Sequence, residues 1–554
     1  MFSNHKLHHS ALRHGCWVVA FAASLLGRGQ QLTWLKHYAT PNTPVVGFLL
    51  ATDTVGNIYG TGTLTGLIDF DGNSSPVLGS GDIVVAKWDS NGVNQWVRTV
   101  GGVPLQNDRD DGEFIHYEPV SDRIIVTGTY NSQADFGCAQ FSEQNDQTSI
   151  FMACYETDGT CAWVRSVRGP AVYTHCLLSD PNGDLYWFGQ SILASPQFVG
   201  NPEVSIPYGG FIARYDQNGV FKSAKRSVKY ASVHSAAWVD STHWLLSMVG
   251  LEGDELFGTD LGITDGASGV LALVDTTGSI SWFRRHQGST GDGNGSAGCA
   301  VVGGHAIVSG GFGGDFVFDG QTFNGSAPWS NKFLACYSLD GDPEWIIPFW
   351  TEGYCAASPI WVDASSTVYI MGDFTDTTAI GPVEAVPAGE SSTYVARFDT
   401  LGNCLSAFYF GPSTGSFGSL AIDGDDLIIS APYTGNVAFG PVNLPATNSV
   451  MLAKLDTLTG YTGVGPAFMA LHEDLLIRAN PNNGLCTVQL PTHLQFTNGL
   501  LLSIFDQTGQ LVQRVPVTMG NAGVQVDIQA QAKGLYHVEL GDGQQRYTGT
   551  IVFE

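Results

Sequence analysis

From residue 31 to residue 456 short apolar runs alternate with polar, glycine-rich turns, and one run returns seven times. Its first copy reads Val84-Val85-Ala86-Lys87-Trp88-Asp89. The later copies are Phe151–Tyr155, Phe211–Asp216, Val270–Asp275, Phe333–Tyr337, Tyr394–Asp399 and Met451–Asp456. Their central alanines, at 86, 153, 213, 272, 335, 396 and 453, follow one another at steps of 57 to 67 residues. A regular step of this size marks stacked supersecondary units. The run is apolar throughout rather than alternating, as expected of a strand covered on both faces. The small residue at its centre predicts close approach of neighbouring sheets.

Three further motifs keep phase with the first. An apolar run ending at glycine precedes each alanine by 22 to 25 residues: Ile58–Gly62, Ile124–Gly128, Leu185–Gly189, Leu245–Gly250, Ala306–Gly310, Val368–Gly372, and Leu427–Ala431 with alanine at its end. Between the two lies an aromatic or isoleucine at Phe70, Phe136, Phe198, Phe257, Phe318, Ile380 and Phe439. Ten residues past the alanine stands Trp96, Trp163, Trp282 or Trp345, replaced by Ser223, Ser406 and Gly463 in the third, sixth and seventh copies. A stretch without a unit of its own, Gln31–Lys36 with Trp34, reads like Gln95–Arg98.

Each unit therefore reads as four strands, in the first at about 45–52, 57–62, 82–88 and 94–100. Asp53-Thr54-Val55-Gly56 and Asp89-Ser90-Asn91-Gly92 supply the turns, the second with an Asn-Gly hairpin signal. Seven such units predict an all-β, seven-bladed β-propeller over residues 30–463. The N-terminal strand at Trp34 would complete the last blade, and a closed ring leaves no sheet edge to aggregate. An α-solenoid is excluded, because no unit holds a 3.6-residue period of adequate length.

After Asp456 the pattern changes. Residues 464–473 read as a Gly/Thr-rich linker. Residues 474–554 hold six or seven short strands, among them Leu485–Leu490, Leu501–Asp506, Val524–Ile528, Gly534–Leu540 and Gly549–Val552, which predict a small β-sandwich.

Composition narrows the function. The 554 residues include 69 glycines and only 14% charged residues, and the formal net charge is −27. So acidic a surface disfavours nucleic acid. Lys6 and Arg13 before an apolar run from Cys16 to Leu26, with Gly27 and Gly29 following, read as a signal peptide over residues 1–29. No later segment approaches the roughly 18 apolar residues of a transmembrane helix. Ten cysteines are present, nine of them beyond Cys16. Cys154 and Cys161 flank the Asp158-Gly159 turn, and the spacing fits either a cross-strand disulfide or two buried thiols. No CxxC pair suggests a zinc ribbon or redox motif.

No catalytic constellation stands out. There is no HExxH, and no Gly-x-Ser-x-Gly in a strand–turn–helix context. His116, His175, His234, His243, His286 and His305 are scattered, with His175 and His234 at equivalent early-strand positions that could face the channel. The acidic stretches 107–113 and 423–426 crowd oxygen ligands of the kind calcium takes, but neither follows an EF-hand pattern and Asp-Gly turns are ordinary hairpin chemistry. The residues thus assign no catalytic, cofactor or metal site.

Two resemblances add to this reading. Gly56–Gly62, the Asp82–Asp89 strand and Asn91-Gly92 running into Trp96 resemble the bacterial seven-bladed propeller repeat, over about 31–463. Such repeats occur mostly in secreted proteins, and the resemblance implies a fold rather than an activity. Asn480-Pro481-Asn482 with Gly484, Asp506 with Gly509, and Gly534-Leu535-Tyr536 before a terminal strand resemble the C-terminal sorting domain of the type IX secretion system of Bacteroidota. Ala479 and the terminal Phe553-Glu554 depart from that pattern. The resemblance implies partners in the type IX machinery, delivery to the outer surface or medium, and attachment of processed cargo to surface lipopolysaccharide. Together these readings give a secreted or surface scaffold for binding or adhesion, its glycan or protein ligand contacted by loops 72–80, 103–113, 138–149 and 320–331. The rival is a polysaccharide lyase or glycosidase with its site in the central funnel, which needs carboxylates or histidines converging from several blades.

Overall fold

The computed structural model describes residues 30–553 apart from 40–46, 75, 78–80, 103–109, 132, 143–147, 265, 287–294, 319, 325–330, 352, 356–358, 381–382, 388, 414–417, 440–441, 446–447, 458–474, 476, 479–481, 490–499, 507–510, 518–522 and 542–545. The expected signal peptide, the linker, and much of the four loops lie outside the described residues. The chain falls into two compact units, Met1–Pro466 and Ala467–Glu554. Among the described residues there is no α-helix, and no helix long and apolar enough to cross a membrane.

In the first unit the strands gather into successive antiparallel sheets, each with four consecutive strands at its centre. The first holds Leu49–Thr52, Ile58–Leu64, Asp82–Trp88 and Asn94–Val100; the second Asp111–Glu118, Arg123–Asn131, Thr148–Glu156 and Cys161–Arg168. The third holds Val172–Ser179, Leu185–Ser191, Gly209–Tyr215 and Phe221–Val228; the fourth Ser232–Trp238, His243–Leu251, Ala267–Asp275 and Ile280–His286. The fifth holds Gly295–Val302, His305–Phe312, Asn331–Ser338 and Pro343–Thr351; the sixth Ile360–Val362, Val368–Phe374, Ser392–Phe398 and Cys404–Phe410. The seventh takes Ser419–Asp423, Asp426–Tyr433 and Ser449–Thr457, and its fourth strand is Gln30–Ala39 from the other end of the unit.

The alternation of each strand sends its side chains into two different cores. Ala86, Ala153, Ala213, Ala272, Ala335, Ala396 and Ala453 are all fully buried, each on the face packed against the preceding sheet. One cluster joins Tyr59 and Val85 of the first sheet to Val126 and Ala153 of the second. The pattern continues sheet by sheet, and a further cluster joins Ile428 and Leu452 of the seventh to Ala86 and Trp88 of the first. Between these two sheets the Phe48 amide donates to Ser430 Oγ at 2.9 Å, and Thr52 Oγ1 donates to the Ile422 carbonyl at 2.7 Å.

The tryptophans of the fourth strands link each sheet to the next. Trp96 Nε1 donates to the Thr157 carbonyl (3.1 Å), Trp163 to Gln217 (3.3 Å), Trp282 to Leu339 (2.8 Å) and Trp345 to Thr400 (3.0 Å). Trp34, on the N-terminal strand, donates to the Ser90 carbonyl (3.0 Å) of the first sheet. Each indole lies on the hairpin turn of the following sheet, over a glycine held at positive φ. A Cβ on Gly341 (φ 83°) would stand 2.6 Å from Trp282, and one on Gly92 (φ 74°) 2.8 Å from Trp34. Only glycine meets both demands. Where the third sheet has Ser223, Lys225 Nζ reaches the Thr276 carbonyl (2.9 Å) and Phe257 covers Gly278.

Strand pairing adjusts one reading. Gly62, Gly128, Gly189, Gly310 and Gly372 occupy one register position, opposite Val84, Phe151, Phe211, Phe333 and Tyr394. In the fourth sheet Met248, not Gly250, stands there, opposite the smaller Val270. The aromatic motif begins excursions that cover sheet edges: Gln197–Phe198 pairs with the fourth strand of the second sheet, and Thr378–Ile380 with that of the fifth. Such cover blunts edges open to foreign strands.

The expected pairing of Cys154 with Cys161 is corrected. Cys161 is bonded to Cys138, with Cα atoms 5.5 Å apart, and Cys154 is a buried free thiol. A bulge after Cys154 shifts the register, so Cys161 lies opposite Tyr155 while Cys154 faces Trp163. Opposed residues share a face. Cys154 therefore enters the core toward the third sheet, and Cys161 the core toward the first.

The C-terminal unit packs two antiparallel sheets around one core. Ile477–Arg478, Leu485–Gln489 and Gly523–Asp527 form one; Leu511–Val517, Leu500–Phe505, Gly534–Gly541 and Arg546–Phe553 form the other. Val488 and Val526 from the first meet Leu502, Ile504, Val538 and Ile551 from the second.

Two outcomes test this framework. Gly341→Ala is expected to lower stability by roughly 2 kcal/mol through backbone strain and displacement of the indole. In a Trp282→Ala background its cost should shrink, because the clash is gone; equal costs in both backgrounds, by denaturant midpoint, would refute the contact. Non-reducing peptide mapping should recover a Cys138–Cys161 link and find Cys154 alkylated only after unfolding.

Candidate functional site

In four successive sheets the first strand is interrupted by a bulge near its start. The register shifts lie between Gly112 and Phe114, Thr174 and Cys176, Val233 and Ser235, and Ser296 and Gly298. The extra residues are Glu113, His175, His234 and Ala297. A bulge re-aims the side chain it carries, and in the second, third and fifth sheets glycine on the second strand gives it room: a Cβ on Gly128 would stand 1.9 Å from the Asp111 carbonyl. One carboxylate and two imidazoles thus occupy the same structural position on consecutive sheets. Thr129 Oγ1 donates to Glu113 at 2.9 Å. The rings of His175 and His234 lie 5.0 Å apart. His175 Nε2 is buried and has no hydrogen-bond partner among the described residues. Burial, with His234 adding to it, lowers the His175 pKa to about 4, so the ring is neutral at pH 7.

A second polar group lies at the end of the second strand of the sixth sheet. Asp373 is buried, and its Oδ1 accepts from Thr393 Oγ1 (2.6 Å) and Ser413 Oγ (3.3 Å), while Oδ2 has no partner among the described residues. Desolvation raises its pKa to about 6, against the lowering by those two hydroxyls. Lys332 and Cys355 interact nearby; burial pulls the ammonium down and pushes the thiol up to about 12. This arrangement can hold a proton on a carboxyl group near neutral pH.

The missing tryptophan of the third sheet leaves a third feature. A cleft of about 160 Å³ is lined by Ser223, Tyr186, Trp244, Lys225 and Arg214. Arg214 lies over the Tyr186 ring and pairs with Asp184 at 2.6 Å. Burial lowers the Lys225 pKa.

Most other residues singled out in the sequence have structural partners. His116 Nε2 contacts Ser179 Oγ (2.8 Å), His243 pairs with Asp240 (3.0 Å), and His286, fully enclosed, contacts the Tyr337 hydroxyl (2.7 Å). In the acidic turn 423–426, Lys454 Nζ bridges Asp423 and Asp426 at 2.8 Å each, so a lysine already pairs with two of its three carboxylates. Asp108 and Asn107 of the other acidic stretch lie outside the described residues.

In the C-terminal unit the motif residues hold backbone together. The Asn482 amide donates to the Val552 carbonyl (2.9 Å), and its side chain accepts from the Gly484 amide (2.8 Å). Gly484 has φ 92°, and a Cβ added to it would stand 2.8 Å from Gln529 Cα, closer than a side chain permits. Tyr536 donates to the Ala532 carbonyl, Asp506 directly follows Leu500–Phe505, and Gly534 opens its strand. Asn480, Pro481 and Gly509 lie outside the described residues.

Linkage gives these shifts measurable consequences. A carboxyl raised from 3.8 to about 6 makes stability fall as pH rises through that window, because the native state holds the proton longer. Asp373→Asn should therefore stabilise the protein at pH 7 by up to about 3 kcal/mol, an advantage that vanishes by about pH 4. His116, His175 and His286, lowered to about 4, act in the opposite direction. Their contribution is complete above about pH 6.5 and is lost as pH falls toward 4. Denaturation midpoints across pH for the wild type and Asp373→Asn check both signs.

No curated protein matches this chain in sequence. Among solved structures it is similar to a glycoside hydrolase of family 32 from Bifidobacterium adolescentis, at 10% identity and a TM-score of 0.23, over 94% of this chain and 96% of the other. Residues 479–554 match the secretion system C-terminal sorting domain. That domain indicates secretion by the type IX system and delivery to the outer membrane or cell surface.

Proposed function

We propose that the protein is a surface or secreted binding scaffold: a seven-bladed β-propeller over residues 30–463, followed by a sorting β-sandwich over 474–554. The observation that carries the export half of this reading is the sorting-domain match at 479–554. A signal peptide at 1–29 brings the chain to the periplasm, and the type IX machinery of a Bacteroidota host takes it across the outer membrane, after which attachment to lipopolysaccharide follows. The propeller reading is supported by the chain of shared cores that returns from the seventh sheet to the first, and by the pairing of Gln30–Ala39 with Ser449–Thr457.

For the binding half, the support is the rim of bulges carrying Glu113, His175 and His234, on the side where the long, variable connections emerge. The ligand is a glycan or protein that offers hydroxyl and amide groups to neutral imidazole and carboxylate. One observation favours the enzymatic rival acting on polysaccharide: burial raises the pKa of Asp373 to about 6, the direction in which a general acid is tuned.

Deletion of residues 470–554 in the native host should leave the truncated protein in the periplasm; its appearance in the medium or on the surface would sink the export reading. The full mature chain should bind components of a glycan array or surface extract without consuming them. The double variant His175→Ala/His234→Ala should weaken that binding at least about tenfold. Polysaccharide turnover that Asp373→Asn abolishes would instead establish the enzyme.

A further inference from the structure

On the fifth sheet three different ligand atoms converge where other sheets carry an ion pair. The positions are the start of the second strand, the end of the third, and the bulge of the hairpin between the third and fourth. In the third and seventh sheets the first two are Asp184 with Arg214 and Asp426 with Lys454, which form salt bridges of 2.6 and 2.8 Å. The fifth sheet places His305 and Cys336 there. The bulge between Cys336 and Tyr337 adds Glu344, whose counterparts are Gln95, Ala162, Lys222, Ser281 and Leu405. The fifth is the one described hairpin with a carboxylate at this bulge.

His305 Nδ1 lies 2.7 Å from Glu344 Oε2, and Cys336 Sγ lies 3.2 Å from the same oxygen. The nitrogen, sulfur and carboxylate ligand atoms all fall within 4.8 Å of one another. Cys336 is fully buried, whereas the side chains of His305 and Glu344 are each 31% exposed. The site thus has an enclosed sulfur at its floor and a mouth open to solvent. Ligands of a tetrahedral zinc ion stand about 3.4 Å apart, so to receive one the two contacts to Glu344 would spread by less than about 1 Å and His305 and Cys336, within 4.8 Å of each other, would close by at most about 1.4 Å.

We propose that His305, Cys336 and Glu344 form a three-ligand site for a divalent transition-metal ion of the zinc class, with its fourth position open to water or an added ligand. One soft, one intermediate and one hard donor suit zinc and disfavour calcium or magnesium, which take oxygen alone. At present both His305 Nδ1 and the Cys336 thiol share protons with one carboxylate oxygen. Binding would replace that sharing by metal bonds, releasing the thiol proton. The bound ion would cross-link three neighbouring strands of the fifth sheet.

The test uses the untagged, metal-free mature chain and Co²⁺ as a spectroscopic stand-in for Zn²⁺. The expected result is one equivalent of cobalt at about pH 7, with tetrahedral ligand-field bands and a thiolate-to-cobalt charge-transfer band that Zn²⁺ bleaches. Cys336→Ser should abolish the charge-transfer band. His305→Ala and Glu344→Gln should each weaken zinc by about 100-fold or more, and His243→Ala, a histidine on the fourth sheet, should change nothing. Metal-free melting of each variant separates loss of ligand from loss of fold, and Glu344→Gln, nearly isosteric, decides the matter where another variant does not fold. A wild type without the thiolate band, a band that survives Cys336→Ser, or zinc affinity unchanged in Glu344→Gln overturns the site.

Discussion

The first unit depends on one contact made repeatedly: a tryptophan at the edge of one sheet, seated on the glycine turn of the next. It couples packing, backbone conformation and hydrogen bonding in one place. The indole covers the turn, its N–H satisfies a turn carbonyl, and the glycine opposite has neither the room nor the φ for a side chain. Burying such a ring is worth roughly 2 kcal/mol, whereas an exposed ion pair such as Lys222–Asp216 contributes about 0–1 kcal/mol. Sheet-to-sheet order therefore rests on the latch and the apolar cores, and the few charged residues are free to vary. Trp34 makes the same contact from the N-terminal strand, so the first described strand and the first sheet are held by the latch that Trp96, Trp163, Trp282 and Trp345 make at four other junctions.

What repeats was legible because the physics repeats with it. Alanine is invariant along the chain where a sheet presses on its neighbour, while glycine recurs where most bulged strands and indoles approach, and tryptophan recurs where most edges are covered. Trp34 could be placed with the fourth strands because Gln31–Lys36 reads like Gln95–Arg98. What stayed hidden depends on register. A one-residue bulge after Cys154 sends it and Cys161 to opposite faces and brings Cys138 to the latter. Uninterrupted pairing of His243–Leu251 with Ala267–Asp275 makes Met248 the counterpart of the glycines and sets Gly250 two residues beyond it. His175 and His234 could be set at equivalent positions from the repeat, but that Glu113 shares their position shows only in the bulges, of which each is the extra residue.

Departures from the repeat are where polar chemistry collects. Ser223 in place of tryptophan opens the cleft between Arg214 and Lys225, and the lysine takes over the lost hydrogen bond. Asp373 follows the motif glycine where the first two sheets have threonine, and its burial shifts its proton affinity as no threonine could. His305 and Cys336 replace an ion pair. A repeated frame tolerates such changes because each sheet keeps its cores on both sides, so the loss of one contact is confined to one junction.

Export adds a constraint that the cysteines answer. Beyond the Cys138–Cys161 bond, seven described cysteines are free, six of them buried. A thiol reacts as its thiolate, and burial pushes Cys154, Cys299, Cys355 and Cys404 up to about 12. Desolvation thus keeps these thiols protonated and inert in an oxidising compartment, and they serve as small apolar residues between sheets. Cys336 differs in its surroundings, since its sulfur reaches a half-exposed carboxylate and imidazole rather than an apolar wall. The two groups beside this enclosed thiol have the chemistry to share an ion with it.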